Sequence, residues 1–256
     1  MAGEYGYFAP GVGGVVRQPA GQNTGGFPIG ILYIDDVHYP MLPGNVVNPW
    51  TYDFPVRMEP VTGLTVPQLF AAGDEVFDLL LAACERLQKS GVRAITGACG
   101  FFGNYQTRLA AALDIPVALS SLMQIPWVRS FLKPGQALGV LTADLSSLTD
   151  KLLAACGVAS RDGLILRDLR RAPNFNCVVE QRGAWDNDEA RHEIVSAALD
   201  AQRQAPGMGA ILLECSDMPP YAADVQRATG LPVFDFITLI RYLCTAVAQR
   251  PYTGFL

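Results

Sequence analysis

The chain has 256 residues, half of them hydrophobic and 17% charged, with a formal net charge of −5. That length is enough for one α/β domain of two lobes or for two small domains, and the acidic balance leaves no basic footprint for nucleic acid. Apolar runs such as FDLLLAAC and ALGVLTA are too short to cross a bilayer. No basic segment followed by an apolar one opens the chain, so a cytoplasmic protein is expected.

Residues 1–27 are rich in glycine and carry few large apolar side chains, which predicts a wrap or arm outside the core. The GVGG at 11–14 has no clear strand before it or helix after it, so it makes a weak nucleotide loop. The core opens at IGILYID (29–35), a strand that ends in Asp35 and Asp36. A proline-rich stretch, HYPMLPGNVVNPWTYDFPV, follows. A loop of that length inside a compact domain is often functional, so residues 38–56 form a candidate lid or oligomer contact.

Residues 72–91 have helical period, an acidic start and a glycine stop. Strand VRAITGACG, helix QTRLAAALD and strand PVALSS come next, and ALGVLTA opens a further unit with helix LSSLTDKLLAACG and strand LILRDL. Helix NDEARHEIVSAALDAQRQ, strand GAILLEC, helix AADVQRATG, strand PVFDF and a last helix, ITLIRYLCTAVAQR, complete the chain. Alternation of this kind predicts parallel sheets covered by helices, with the site at the carboxyl ends of the strands. Two similar lobes are expected: 28–130 plus the C-terminal segment 236–256 in one, and 131–235 in the other.

The lobes carry an internal repeat. AITGACGFFGNYQTRLAAALDIPV from Ala94 aligns without a gap on AILLECSDMPPYAADVQRATGLPV from Ala210, an offset of 116 residues (215 − 99). Ala94 meets Ala210, Ile95 meets Ile211, Cys99 meets Cys215, Tyr105 meets Tyr221, Ala112 meets Ala228, and Pro116-Val117 meets Pro232-Val233. So many matches at one offset indicate a duplication, with one cysteine at an equivalent place in each half. Six cysteines are present, at 84, 99, 156, 177, 215 and 244, with two histidines, His38 and His192. No zinc-type spacing occurs among them, so no metal site is expected. Cys84, Cys156 and Cys244 sit in apolar helical patterns, and Cys177 reads as a strand residue, all consistent with core thiols. His192, early in a polar helix, reads as a surface residue.

Cys99 and Cys215 each follow an apolar strand and precede a helix, where free N–H groups favour a thiolate. Removing a proton next to a carboxylate requires a base at the carbon and donors for the charge that appears. Two thiols facing each other could remove a proton from one face and return one to the other, inverting the carbon without a cofactor. Burial of both cysteines in a duplicated core remains the competing structural reading.

The segments TGACGFFGNYQ and LLECSDMPPYAADVQRATGLPV, with the opening IGILYIDDVHYPMLPGNVVNPWTYDFPV, resemble the aspartate/glutamate racemase superfamily, which also contains hydantoin racemases and arylmalonate decarboxylases. The resemblance implies an α/β fold of two pseudo-symmetric lobes, each a parallel sheet flanked by helices, with the active site at their interface. It further implies a cofactor-independent amino-acid racemase or epimerase, with Cys99 and Cys215 as the acid/base pair, acting on an amino acid or related carboxylate as a homodimer. Gly100 and Phe101 after the first cysteine, Ser216 and Asp217 after the second, and Asp35 and Asp36 after the first strand would approach the substrate. Ser120, Ser121, Thr142 and Asp144, at the ends of other strands, are further binding candidates; Asp144 serves equally as a helix cap. Arg57, Arg93 and Arg129 could pair with an anion, with no spacing to single one out. Family members typically show Cys-Asn-Thr at the first site, where this chain has Cys99-Gly100-Phe101. A hydantoin racemase, a one-thiol arylmalonate decarboxylase with Phe101 and Phe102 lining an apolar pocket, and a non-catalytic carboxylate-binding protein are the alternatives.

Overall fold

A computed structural model describes residues 14, 15 and 18–256 of the chain. Most of the GVGG segment, like most of the first half of the N-terminal arm, lies outside the described residues.

Two four-stranded parallel sheets carry the fold. The first contains β1 (Ile29–Ile34), β2 (Val56–Val61), β3 (Ala94–Gly97) and β4 (Val117–Ala118), in the order β2-β1-β3-β4. The second contains β5 (Ala137–Thr142), β6 (Leu164–Asp168), β7 (Met208–Leu213) and β8 (Val233–Phe234), in the order β6-β5-β7-β8. The two orders are the same topology. β1 and β5 are central and near-continuously apolar because helices cover both faces of such a sheet. The two-lobed α/β class read from the sequence is therefore the observed one.

The helices are α1 (Val66–Ala71), α2 (Glu75–Lys89), α3 (Gln106–Ala112), α4 (Gln124–Phe131), α5 (Asp150–Ala155), α6 (Cys177–Glu180), α7 (Asn187–Gln204), α8 (Ala222–Thr229) and α9 (Phe236–Val247). α2 shows why such segments are helical. Val76, Leu80, Ala83, Cys84 and Leu87 fall on one buried stripe, Glu75 and Asp78 open the helix, and Arg86 and Lys89 close it, in the order the helix dipole favours. α9 starts from an Asp235/Thr238 capping box and packs Phe236 and Ile240 against Ile29, Ile31 and Ala94 of the first sheet.

The core runs across both lobes. Leu122, Ile125 and Val128 share one cluster with Leu138, Val140 and Leu212. Ser121 Oγ donates to the Leu213 and Glu214 carbonyls at 3.1 and 3.0 Å, and Ser216 Oγ donates to the Ala98 carbonyl at 2.8 Å. These bonds join the two carboxyl edges.

The structure departs from the sequence reading at three elements. Cys177 begins a single-turn helix and is not a strand residue; its sulfur donates to the Ala184 carbonyl, so a local turn overrides the β-branched pair that follows it. β2, which contains Pro60, is an edge strand, a position where a missing N–H is tolerated. α4 accommodates Pro126 within its first turn, where the N–H has no helical partner in any case. Among the described residues no helix is long and apolar enough to cross a membrane.

Candidate active site

Both focal cysteines sit just beyond the carboxyl ends of equivalent strands, β3 and β7. After each the chain makes a 3-10 segment and then an α-helix: 100–105 then α3, and 219–221 then α8. The pivots are the repeated tyrosines, with φ/ψ of −105°/3° at Tyr105 and −104°/1° at Tyr221. Each ring is buried and its hydroxyl tied down, Tyr105 to the Gly73 carbonyl and Tyr221 to Asn187 Oδ1, both at 2.8 Å. The duplication thus extends to backbone geometry. The 3-10 segments also mean that neither sulfur lies directly on an α-helix N-terminus.

A cleft of about 40 Å³ opens between the two strand ends. Cys99, Gly100 and Phe101 line it from the first motif, and Glu214, Cys215, Ser216 and Asp217 from the second. Tyr39, Val66, Phe70, Val178 and Val179 close it. Phe70 and Phe101 meet edge to face at 4.6 Å. Among the described residues no lysine, arginine or histidine lines this cleft.

The two thiols stand in different surroundings. Burial pushes Cys99 well up, and the Glu214 carboxylate beside it pushes it further. The Phe101 and Phe102 N–H groups, which donate to its sulfur, oppose this and support a thiolate. Cys215 is likewise raised by burial, then by the charges of Asp217 and Glu214, and its thiol donates to Asp217 Oδ2 at 3.4 Å. The Asp217 carboxylate also accepts from Asn45 Nδ2, from Ser216 Oγ at 3.4 Å and from Tyr39 Oη at 3.4 Å. Burial nevertheless raises it to about 6.

Glu214 is 1% exposed. Its Oε2 accepts from Thr142 Oγ1 at 2.9 Å, and the Ala143 N–H also donates to the carboxylate. Its Oε1 is buried without a partner. Burial raises this group to about 7. Oε1 packs against Gly100, where a Cβ would lie 1.6 Å from it; only glycine admits the carboxyl group there.

Of the residues anticipated from sequence, Cys99, Gly100, Phe101, Cys215, Ser216 and Asp217 come together in the cleft. Asp35 and Asp36 do not, being exposed beyond β1. Ser120 caps the turn before α4 and Ser121 joins the lobe seam. Thr142 stands behind the cleft, holding Glu214. Asp144 caps the 145–147 turn through Ser146 and Ser147. Phe102 packs in the core, His192 is exposed, and Arg129 donates to the Ser160 carbonyl. The residues not anticipated are Glu214 and Tyr39. A charged residue closing the apolar run AILL was the available signal for Glu214. Tyr39 had none beyond its place in the long loop, which folds back over the second motif. There Val46 N donates to the Ser216 carbonyl, and Gly44, at φ +101°, lies against Pro220.

Parallel sheets of one topology, a thiol at each equivalent strand end and a cleft between them define the class: the two-lobed α/β fold of the aspartate/glutamate racemase superfamily. Solved structures agree on the fold. An aspartate racemase from Picrophilus torridus matches with a TM-score of 0.59 at 12% identity over 89% of this chain and 96% of that one. Unliganded arylmalonate decarboxylase matches with 0.54 at 20% over 89% and 97%. Within that class, this chain belongs to the dimethylsulfoniopropionate lyase family. It is 31% identical over 236 residues to dimethylsulfoniopropionate lyase 7 of Emiliania huxleyi, covering 88% of this chain and 69% of that one. A dimethylsulfoniopropionate lyase from Durusdinium sp. clade D is 30% identical over 233 residues, covering 88% and 77%. No protein-family model matches the chain. The expected fold is thus found, whereas the relatives by sequence carry the name of a lyase and not of a racemase.

Proposed function

We propose that the chain is a lyase that cleaves dimethylsulfoniopropionate to dimethyl sulfide and acrylate. The observation that carries this reading is the make-up of the cleft: two carboxyl groups, aromatic rings and two thiols, with no cationic side chain among the described residues. Such a site favours a substrate that brings its own positive charge. A sulfonium group suits it, attracted by Glu214 and Asp217 and by the faces of Phe70, Phe101 and Tyr39. A malonate or a dicarboxylic amino acid would place two carboxylates there against two more.

The reaction needs one base. Cys99, whose sulfur accepts two backbone N–H groups, takes a proton from the carbon next to the substrate carboxylate. The electrons left behind form the carbon–carbon double bond as the β-carbon to sulfur bond breaks. Neutral dimethyl sulfide departs with the bonding pair and needs no acid, and one proton is released for each acrylate formed. Charge building on the carboxylate during proton removal calls for donors. The Tyr39 hydroxyl, held at a long 3.4 Å by Asp217, and the Cys215 thiol are the ones at hand.

A cleft of about 40 Å³ has room for about three water molecules, at roughly 10–15 Å³ each. The substrate is larger, so its entry requires the wall to part. The Tyr39 loop, which meets the second lobe through the Tyr39–Trp185 ring pair and the Gly183 N–H to His38 carbonyl bond, is the part that would move.

Racemisation of an amino acid or related carboxylate is the second reading, favoured by the retention of a thiol on both motifs where elimination needs one base. Incubation in deuterium oxide with dimethylsulfoniopropionate, with amino acids and with an arylmalonate separates the two. Dimethyl sulfide in the headspace with acrylate in solution supports the lyase. Exchange and inversion of an amino-acid α-proton, with no dimethyl sulfide, would replace it with the racemase.

A further inference from the structure

Asp217 lines the cleft with a side chain that is buried, so each oxygen of its carboxylate depends on donors from the protein. Oδ2 collects three at 3.4 Å: the Cys215 thiol, the Ser216 hydroxyl and the Tyr39 hydroxyl. Among the described residues Oδ1 accepts from one group alone, the side-chain amide of Asn45. Asn45 comes from the loop after β1, 172 positions earlier, and is buried too. The loop leaves its amide one orientation. The amide oxygen accepts from the Val47 N–H at 2.8 Å, so the NH₂ end is the one that faces Asp217. The backbone is fixed as well. Asn45 N–H donates to the Leu42 carbonyl at 2.9 Å, and the Asn45 carbonyl accepts from Thr51 Oγ1 at 2.8 Å. The next residue, Val46, is fully buried and packs with Ile29, Ile31 and Phe236 of the first lobe. The donor is therefore in place before any substrate arrives.

We propose that Asn45 is the positioning residue of Asp217, holding its carboxylate charged at the cleft wall so that the sulfonium group of the substrate meets a negative surface. This deepens the lyase reading and rests on it for the sulfonium. A neutral donor is what the place requires. A lysine or arginine would cancel the charge that the cation is to meet, an aspartate would set two carboxylates against each other, and an apolar residue would leave Oδ1 bare and let burial protonate the group. As built, burial raises Asp217 to about 6, and donation from Cys215, Asn45, Ser216 and Tyr39 keeps it below what burial alone would give. The titratable groups facing it are Cys215 and Glu214 of its own motif, Tyr221 behind them, Cys99 from the first motif and Tyr39 from the loop. All of these are acids, so none supplies a countercharge, and the carboxylate relies on hydrogen bonds to stay ionised.

The test is the titration of Asp217, followed by carbon-13 NMR of the full chain labelled at its aspartate carboxyl carbons, with the signal assigned by its absence from Asp217→Asn. In the parent it is expected to titrate near about 6. Asn45→Ala removes a hydrogen bond to a charged group and should move the titration up by about 1–2 pH units. Asn45→Asp keeps the shape and the Val47 bond, so it serves if alanine does not fold; the upper of its two coupled titrations should lie above the parent's. Thr51→Val loosens the same turn without touching Asp217, and it should lower Tm while leaving the titration in place. A shift of about 1–2 units leaves about half to about a tenth of the molecules charged at about pH 7, so KM for dimethylsulfoniopropionate in Asn45→Ala should rise about 2–10-fold there and return to the parent's near about pH 9. An Asp217 signal unmoved in both Asn45 variants, or moved as far by Thr51→Val, would overturn the positioning role. A KM raised equally at both pH values would overturn its link to charge. Because the titration uses no substrate, failure of the parent to release dimethyl sulfide would sink the lyase reading while the NMR result still decides what Asn45 does to Asp217.

Discussion

Replacing Glu214 with glutamine changes charge and almost nothing else. The amide oxygen can keep the Thr142 bond of 2.9 Å, and the amide nitrogen takes the place of the unpartnered Oε1. In the parent, burial lifts the carboxyl from its ordinary 4.5 to about 7. The folded value lies above the unfolded one, so this group's contribution to stability is complete below about pH 4.5 and is lost as pH rises through about 7. At about 1.4 kcal/mol per pH unit, the parent should lose about 2–3 kcal/mol from Glu214 alone between about pH 5 and about pH 8.5. Glutamine does not titrate, and the remaining acids titrate in both proteins. Urea unfolding of the two at these pH values should therefore show the variant gaining about 2–3 kcal/mol on the parent as pH rises. The unpaired amide adds a penalty of about 1–3 kcal/mol, independent of pH, which shifts both points together. A difference constant to within about 0.5 kcal/mol across the range would refute the reasoning, because Glu214 would then ionise in the folded chain as readily as in water.

Three further outcomes are expected. Cys99→Ser should lower kcat for dimethyl sulfide release by about 10²–10⁴, with circular dichroism and Tm close to the parent's, since serine fits the same space; activity within tenfold of the parent would remove Cys99 as the base. Tyr39→Phe should raise KM about 10–100-fold through loss of a donor to a charged carboxylate, worth about 1.5–3 kcal/mol; steady-state kinetics with unchanged KM would place the substrate carboxylate elsewhere. Gly100→Ala drives a methyl group into the Glu214 carboxyl and should cost about 1–3 kcal/mol of overpacking, with activity largely lost. A Tm equal to the parent's would show that Glu214 does not rest against Gly100.

How much of the site could be read from the chain depends on the reach of each interaction. The duplication, the strand–helix alternation and the place of each cysteine after its strand are properties of neighbouring residues, and they sufficed for the two-lobed fold. Gly100, Phe101, Ser216 and Asp217 reach the cleft because they adjoin those cysteines. Asp35, Asp36, Ser120, Ser121, Thr142 and Asp144 were named on the same rule, that strand ends face the site. That rule fails where a local demand comes first: Asp144 and Ser120 cap turns, Ser121 joins the seam between lobes, and the chain at Asp35 turns out to solvent.

The charge of the cleft was decided by tertiary structure alone. Glu214 is set by Thr142, 72 residues earlier, and by Gly100 on the other lobe, while Tyr39 and Asn45 reach Asp217 from more than 170 residues away. Such contacts follow no period and leave no local pattern, since they depend on where a loop lands once both sheets have packed. They turn a recognisable pair of thiols into a pocket of acids and aromatic rings, without a cation among the described residues. The chain by itself specified a two-lobed fold with a thiol at each equivalent strand end; the packing of its lobes specified the acids and rings that surround them.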